Sequence, residues 1–155
     1  MKKWCILPCI ALALDRFAKA WAQCALAPHG SAVLWPGVLG LRYARNTGVA
    51  FSLGANLPWL IPALTAALCL AVLAFAWRAK AYPPPARGGL LLIAAGGLSN
   101  LADRLIYGYV VDFIQLLFVH FAIFNLADVM ICAGAALTAL TLLRPKEVPR
   151  RGMDR

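Results

Sequence analysis

The feature that most constrains this chain is the length of its apolar runs. Pro58 to Trp77 contains no charged residue, and a run of about 20 apolar residues is what an α-helix needs to cross a bilayer. Charged residues make up only 14% of the chain and the mean hydropathy is +0.76, whereas soluble domains carry roughly 25% charged residues. The sequence therefore predicts a single integral membrane domain, mostly α-helical, rather than a soluble globule.

Four apolar segments predict a bundle of four transmembrane helices, at about 4–22, 58–77, 88–106 and 123–143. Basic residues cluster at positions 2–3, 78–87 and 144–155, beside the ends of these segments. Because Lys and Arg are enriched in cytoplasmic flanks, the two termini, a loop at 78–87 and a tail at 144–155 are expected on the cytoplasmic side. This placement accounts for the net charge of +9 without nucleic acid as a partner.

The first apolar segment also has features of a cleavable signal peptide, including the small residues around Trp21. We interpret it as an uncleaved span, because it continues past Asp15, Arg16 and Lys19. Asp15 and Lys19 are four residues apart, so they share a helix face and can form an ion pair. The pattern leaves open whether this pair only anchors the helix or belongs to a functional site.

Between the first two spans, glycine and proline residues punctuate short alternating segments. Such residues interrupt helices and set turns, so positions 25–56 predict a small, partly β-structured subdomain outside the membrane. The connection between the third and fourth spans, at about 105–123, is expected on the same outer side.

Four of the six acidic residues fall at one predicted depth, near the outer membrane face. They are Asp15, Asp103, Asp112 and Asp128. Ionisable groups in membrane segments are costly and usually face a protein interior or a water-filled cavity. The sequence therefore predicts a single polar site built from several spans.

Carboxamides accompany two of these acids. Asn100 and Asp103 are three residues apart, as are Asn125 and Asp128, so each pair shares a helix face. Arg104 follows Asp103 directly and is a candidate counter-ion that would lower its pKa.

Asp112 and Asp128 have no adjacent cation in the sequence, and burial should raise the pKa of at least one of them. Two carboxyls in one apolar pocket rarely ionise together, so one can accept a proton from water while the other donates one. This is the chemistry of an aspartic peptidase. The chain lacks zinc-protease, nucleophile-elbow and P-loop motifs, and its five cysteines are scattered singly, so no metal and no cofactor is expected.

Five short motifs follow one another through the predicted spans and the outer subdomain. They are Asp15-x-x-x-Lys19, Asn46-Thr47-Gly48-Val49-Ala50-Phe51, Gly96-Gly97-Leu98-Ser99-Asn100-Leu101-Ala102-Asp103-Arg104, Val110-Val111-Asp112-Phe113 and Phe124-Asn125-Leu126-Ala127-Asp128. In this order the motifs resemble those of the lipoprotein signal peptidase family, also called signal peptidase II.

The resemblance implies a bacterial inner-membrane aspartic endopeptidase with its active site near the outer face, working in contact with membrane lipid and as a monomer. Its substrate would be a diacylglyceryl-modified prolipoprotein, cut before the lipidated cysteine. Asp112 and Asp128 would be the catalytic pair. The remaining motif residues would bind substrate or support the pair: Asn46, Gly48, Asn100, Asp103, Arg104, Asn125, Asp15 and Lys19.

Two other classes of function are compatible with intramembrane acids. A small transporter would use them as proton-relay groups, although such groups commonly lie near the bilayer midplane between repeated halves. A structural assembly factor would use polar residues only to join helices. Neither alternative accounts for five motifs in one order.

Overall fold

The computed structural model describes residues 2–48, 59–78 and 82–144. Long helices in these ranges are α1 (Lys2–Trp21), α2 (Leu60–Arg78), α3 (Pro84–Tyr107) and α4 (Leu126–Leu143). Three of them, α2, α3 and α4, are long and apolar enough to cross a membrane. α1 is of similar length but carries Asp15, Arg16 and Lys19 in its last two turns.

α3 is the central helix and packs against α1, α2 and α4. It begins at Pro84, inside the stretch predicted as the 78–87 loop and about one turn before the span predicted at about 88–106. Proline is well tolerated in the first helical turn, where its missing N–H has no intrahelical partner. The Pro-rich stretch therefore starts this helix.

A three-stranded antiparallel sheet lies at one end of the bundle, in the order β1 (Ser31–Trp35), β2 (Leu39–Asn46) and β3 (Val110–Leu116). β1 and β2 fall in the stretch predicted as β-structured. β3 lies in the connection predicted between the third and fourth spans, where no strand was expected. Residues 49–51 of the second motif lie outside the described residues.

A five-residue π-helical segment, Ala22–Leu26, continues α1 towards the sheet. Its buried Ala22 and Leu26 pack with Val111 and Phe113 of β3 in a small apolar core. Because strand side chains alternate between faces, burying Val111 and Phe113 on this core turns Asp112 to the opposite face. The core thereby fixes the side of the sheet on which Asp112 lies.

β3 follows α3 almost directly. Gly108 ends the helix with a left-handed backbone (φ 77°), and its N–H donates to the Arg104 carbonyl. Glycine adopts this conformation without the steric cost that a Cβ atom brings. The turn delivers Asp112 close to the polar end of α3.

Candidate active site

A cavity of about 550 Å³ opens between the sheet, α3 and α4. Its polar lining comes from Asn46, Asn100, Arg104, Asp112 and Asp128. Its apolar lining comes from β3, from the segment before α4 and from the first two turns of α4. We call this space the acidic cavity.

Asp112 lies in the wall of the acidic cavity and is only 2% exposed. Its Oδ2 accepts a hydrogen bond from Asn46 Nδ2 (3.0 Å), and its Oδ1 accepts one from Asn125 Nδ2 (2.6 Å). Burial raises the pKa of Asp112 to about 6, and the nearby charge of Asp128 adds to the shift. The sequence-based expectation that burial raises the pKa of one of the two carboxyls is confirmed for Asp112.

Asp128 is held in the first turn of α4 by a reciprocal cap. The Asp128 N–H donates to Asn125 Oδ1 (3.0 Å), and the Asn125 N–H donates to Asp128 Oδ2 (3.1 Å). This capping box satisfies two N–H groups at the helix start that lack intrahelical partners. The other carboxylate oxygen, Oδ1, accepts from Asn100 Nδ2 (2.9 Å).

Two asparagines connect the carboxylates. Asn125 Nδ2 donates both to Asp112 Oδ1 and to Asn100 Oδ1 (3.2 Å), and Asn100 in turn donates to Asp128. Each amide turns its nitrogen towards a carboxylate and its oxygen towards a donor, so the network is consistent in polarity. The prediction that Asn125 and Asp128 share a face is confirmed, and Asn125 reaches Asp112 as well.

A second group of charges lies behind the asparagines. Lys19 Nζ is 2.9 Å from Asp15 Oδ2 and 3.0 Å from Asp103 Oδ2, and it donates to Asn100 Oδ1 (2.8 Å). The predicted Asp15–Lys19 ion pair is present, and through Asn100 it contacts the site. The four aspartates that the sequence placed at one depth therefore belong to a single connected network.

Arg104 does not pair with Asp103 as the sequence suggested. Its guanidinium donates to the Gly48 carbonyl (2.6 Å) and to the Asn100 carbonyl (3.4 Å), while Asp103 forms ion pairs with Lys19 and Arg16. Successive residues on a helix point about 100° apart, so neighbours in sequence do not face each other. Arg104 therefore lines the acidic cavity and holds the motif loop at Gly48, and Asp103 faces α1.

Sequence reasoning missed two contributors to the network. Arg16 pairs with Asp103, and Ser99 Oγ donates to Asp15 Oδ2 (2.5 Å). Arg16 was visible only as a charge in an apolar run, and Ser99 only as a motif position. Within the described ranges, no three His, Cys, Asp or Glu residues are grouped so that they could hold a metal ion.

The arrangement suits acid–base hydrolysis. Two carboxyls from different elements, β3 and α4, line one partly apolar cavity, and amide groups fix the orientation of both. A protonated carboxyl can donate to a developing oxyanion while an ionised one accepts a proton from water.

The whole fold matches solved membrane proteins. Two solved structures described as bacterial membrane enzymes superpose on this chain with TM-scores of 0.84 and 0.82, each at 26% sequence identity and over 96% of its length. The superpositions cover 95% and 96% of the two solved chains. The fold and site thus define a membrane enzyme with a paired-carboxylate cavity.

The family follows from sequence comparison. The model of the family described as signal peptidase (SPase) II matches residues 7–144. Relatives named lipoprotein signal peptidase include one from Syntrophomonas wolfei, 39% identical over 91% of this chain and 93% of the relative. Another, from Cronobacter sakazakii, is 37% identical over 94% of this chain and 91% of the relative. The chain belongs to the signal peptidase II family and is a peptidase.

Proposed function

We propose that this protein is an aspartic endopeptidase that removes signal peptides from diacylglyceryl-modified prolipoproteins, cutting before the lipidated cysteine. Asp112 and Asp128 form its catalytic pair. The observation that carries the proposal is their convergence on the acidic cavity from different elements, with Asn125 hydrogen-bonded to both. Family membership supplies the substrate class.

The two carboxyls take different roles. Asp112 is the more deeply buried, and its raised pKa favours the neutral form that can donate a proton to the scissile carbonyl oxygen. Asp128 lies at the start of α4, where the helix dipole stabilises a negative charge. Asp128 takes a proton from water as the oxygen attacks the carbonyl carbon. The tetrahedral intermediate collapses when Asp128 passes that proton to the leaving nitrogen and the C–N bond breaks. One hydroxyl of the intermediate returns its proton to Asp112, which regenerates the pair and releases a carboxylic acid.

The remaining polar residues of the cavity bind and orient substrate. Asn46 and Asn125 hold the Asp112 carboxyl, and Asn100 holds Asp128. Arg104, fixed at the Gly48 carbonyl, presents positive charge at the edge of the cavity. The apolar wall from β3 and α4 suits the lipid chains of a lipidated cysteine.

The proposal includes four membrane spans: α1 crosses the membrane in addition to α2, α3 and α4. Asp15 and Lys19 are fully buried against α3 and α4, so these charges of α1 do not face lipid. We place the chain in a bacterial inner membrane as a monomer. The active site and the 25–56 subdomain lie outside, and the 78–87 segment and both termini lie in the cytoplasm.

Topology can be tested with an impermeant maleimide after the native cysteines are replaced. A cysteine at His29 should be labelled in intact spheroplasts, whereas one at Tyr82 should be labelled only after the membrane is opened. The reverse pattern would contradict the orientation.

The function is tested with purified protein and a model prolipoprotein in lipidated and unlipidated forms. We expect cleavage of the lipidated form before its cysteine, much slower cleavage of the unlipidated form, and no cleavage by Asp128→Asn. A wild-type protein that cuts neither form would overturn the proposed function.

A further inference from the structure

Asp15, Lys19 and Asp103 form a buried charge trio, with exposed fractions of 0%, 1% and 0%. We propose that this trio positions the two catalytic aspartates relative to each other, with Lys19 as the group that joins the two supporting aspartates. The inference rests on the proposed function. It assigns positioning roles to residues that do not touch the acidic cavity.

Asp15 holds the start of α4. Its Oδ1 accepts a hydrogen bond from the Ala127 N–H (2.8 Å), and Ala127 immediately precedes Asp128. N–H groups in the first turn of a helix have no intrahelical acceptor, so a carboxylate from α1 is a strong partner for this one. The position of Asp128 is thereby tied to α1.

Asp103 holds β3 in the same way. Its Oδ2 accepts from the Val111 N–H (3.3 Å), and Val111 immediately precedes Asp112. Each supporting aspartate thus binds the backbone N–H one residue before a catalytic aspartate. The same type of contact, a carboxylate that accepts from a backbone N–H, therefore positions both the start of α4 and β3.

Lys19 joins the two supports. Its ammonium group contacts Asp15, Asp103 and Asn100, which matches its three donor hydrogens with three acceptors. Asn100, held by Lys19, donates from its amide nitrogen to Asp128 and so helps to fix the position of that carboxylate. A shift of Lys19 would therefore move the supports of both carboxyls together.

The charge of Lys19 also acts on Asp112. Charged groups that act on Asp112 from the described residues are Lys19 on α1, Arg104 on α3 and Asp128 on α4, while β2 contributes the neutral Asn46. Lys19 lowers the pKa of Asp112 against the effect of burial. Removing this cation should extend the protonated form of Asp112 to higher pH.

The positioning role is tested first at Asp15. Asp15→Ala removes the acceptor for Ala127 N–H, whereas Asp15→Asn keeps an oxygen there and loses the charge. Because small misplacements of catalytic groups cost up to ~10²-fold in rate, we expect kcat of Asp15→Ala to fall by ~10–10²-fold at nearly unchanged KM. Asp15→Asn should recover part of the loss.

The electrostatic role is tested by pH profiles of kcat/KM. The midpoint of the alkaline limb should move to higher pH in Lys19→Met, since this variant removes a cation that acts on Asp112. If Lys19→Met is not recovered folded from the membrane, Lys19→Gln, which can still donate a hydrogen bond to Asn100, takes its place. The Asp15→Ala and Asp15→Asn variants test the positioning role in either case.

A matched control is Thr138→Val. It removes a hydrogen bond from α4 to α3 at the end of these helices that lies away from the acidic cavity. It should change neither kcat per folded molecule nor the pH midpoint. Asp15 variants with wild-type kcat would overturn the positioning role, and an unmoved midpoint in the folded Lys19 variant would overturn the electrostatic role. If the wild type cleaves lipidated substrate and Asp128→Asn does not, that outcome leaves the proposed function standing.

Discussion

The two ends of the α3–α4 pair differ in what links the helices. At one end backbone meets backbone: a Cβ atom at Gly89 would lie 2.6 Å from the Gly134 carbonyl oxygen, and one at Gly134 would lie 2.5 Å from the Gly89 carbonyl oxygen. Small residues allow such close approach between membrane helices. This end, which we call the glycine seam, leaves no space for added atoms.

At the other end the backbones also approach closely, since a Cβ atom at Gly96 would clash with the Ala127 carbonyl oxygen, but asparagine and aspartate side chains link the helices beside this contact. Asn100 of α3 donates to Asp128 of α4 and accepts from Asn125, and the acidic cavity opens beside them. Polar side chains at this depth are expensive to bury and are retained where they act. Close packing at the glycine seam therefore contributes stability that offsets the cost of burying polar groups at the end where the acidic cavity lies.

The largest effect should come from the catalytic pair. Asp112→Asn and Asp128→Asn each remove one of two cooperating acid–base groups, so cleavage of lipidated substrate should fall by at least ~10²-fold. Thermal unfolding in detergent should stay close to that of the wild type. Activity near the wild-type level in either variant would contradict the assignment of the pair.

Substitution in the glycine seam should lower stability and leave activity unchanged. Gly134→Val places side-chain atoms against the Gly89 backbone, and such overpacking costs about 1–3 kcal/mol. Ala135→Val is the matched control, since its neighbouring position on α4 is exposed. We expect a lower unfolding temperature only for Gly134→Val, with activity per folded molecule retained. Equal stability of the two variants would remove the distinction between the ends.

The pH profile sharpens the roles within the polar end. With a pKa of about 6 for Asp112, its protonated fraction falls from about one half at pH 6 to about one tenth at pH 7. If Asp112 is the acid, kcat/KM should fall as pH rises through about 6. The midpoint of kcat should lie higher, because bound substrate excludes water and increases burial. A rise in kcat/KM through pH 6 would instead make Asp112 the base.

Asn125 both caps α4 and donates to Asp112, and these two roles can be separated by mutation. Asn125→Ala should cost about 1 kcal/mol of stability through the lost cap and about tenfold in activity through the lost amide contacts. Asn125→Ser keeps a capping oxygen but has no amide nitrogen for Asp112. We expect its stability to recover while its activity stays low, as measured by unfolding and cleavage side by side. Parallel recovery of both properties would show that the cap alone matters.

The smallest effect is expected from Thr138→Val at the glycine seam. Thr138 Oγ1 donates to carbonyls of α3 and of its own helix, and one such hydrogen bond contributes about 1 kcal/mol or less. Stability should fall slightly, with no change in cleavage rate. A measurable loss of activity would mean that the seam controls the polar end directly.

Much of the site was predictable because charge is rare in this chain. Any acid in an apolar run needs a reason, and the basic flanks placed four of the aspartates at one depth. Motif spacing then predicted which amides accompany which acids, as at Asn125 and Asp128. These inferences depend only on local spacing and on the cost of burying charge.

Contacts between distant segments could not be predicted in this way. The reach of Lys19 to Asp103 and Asn100 depends on how α1 packs on α3, which no local pattern encodes. β3 was missed because a short apolar run interrupted by Asp112 does not by itself indicate a strand. The partner of Arg104 was misjudged because adjacency in sequence was taken for adjacency in space.

The short junction at Gly108 limits how the chain length can vary. Only Gly108 and Tyr109 separate the last residue of α3 from the first of β3. One extra residue inside β3 before Asp112 would turn the side chains that follow it to the other face of the sheet, and Asp112 would then point into the apolar core at Val111 and Phe113. Insertions and deletions can be absorbed at 117–120, before the segment that lines the acidic cavity. The number of residues between Gly108 and Asp112 must stay fixed.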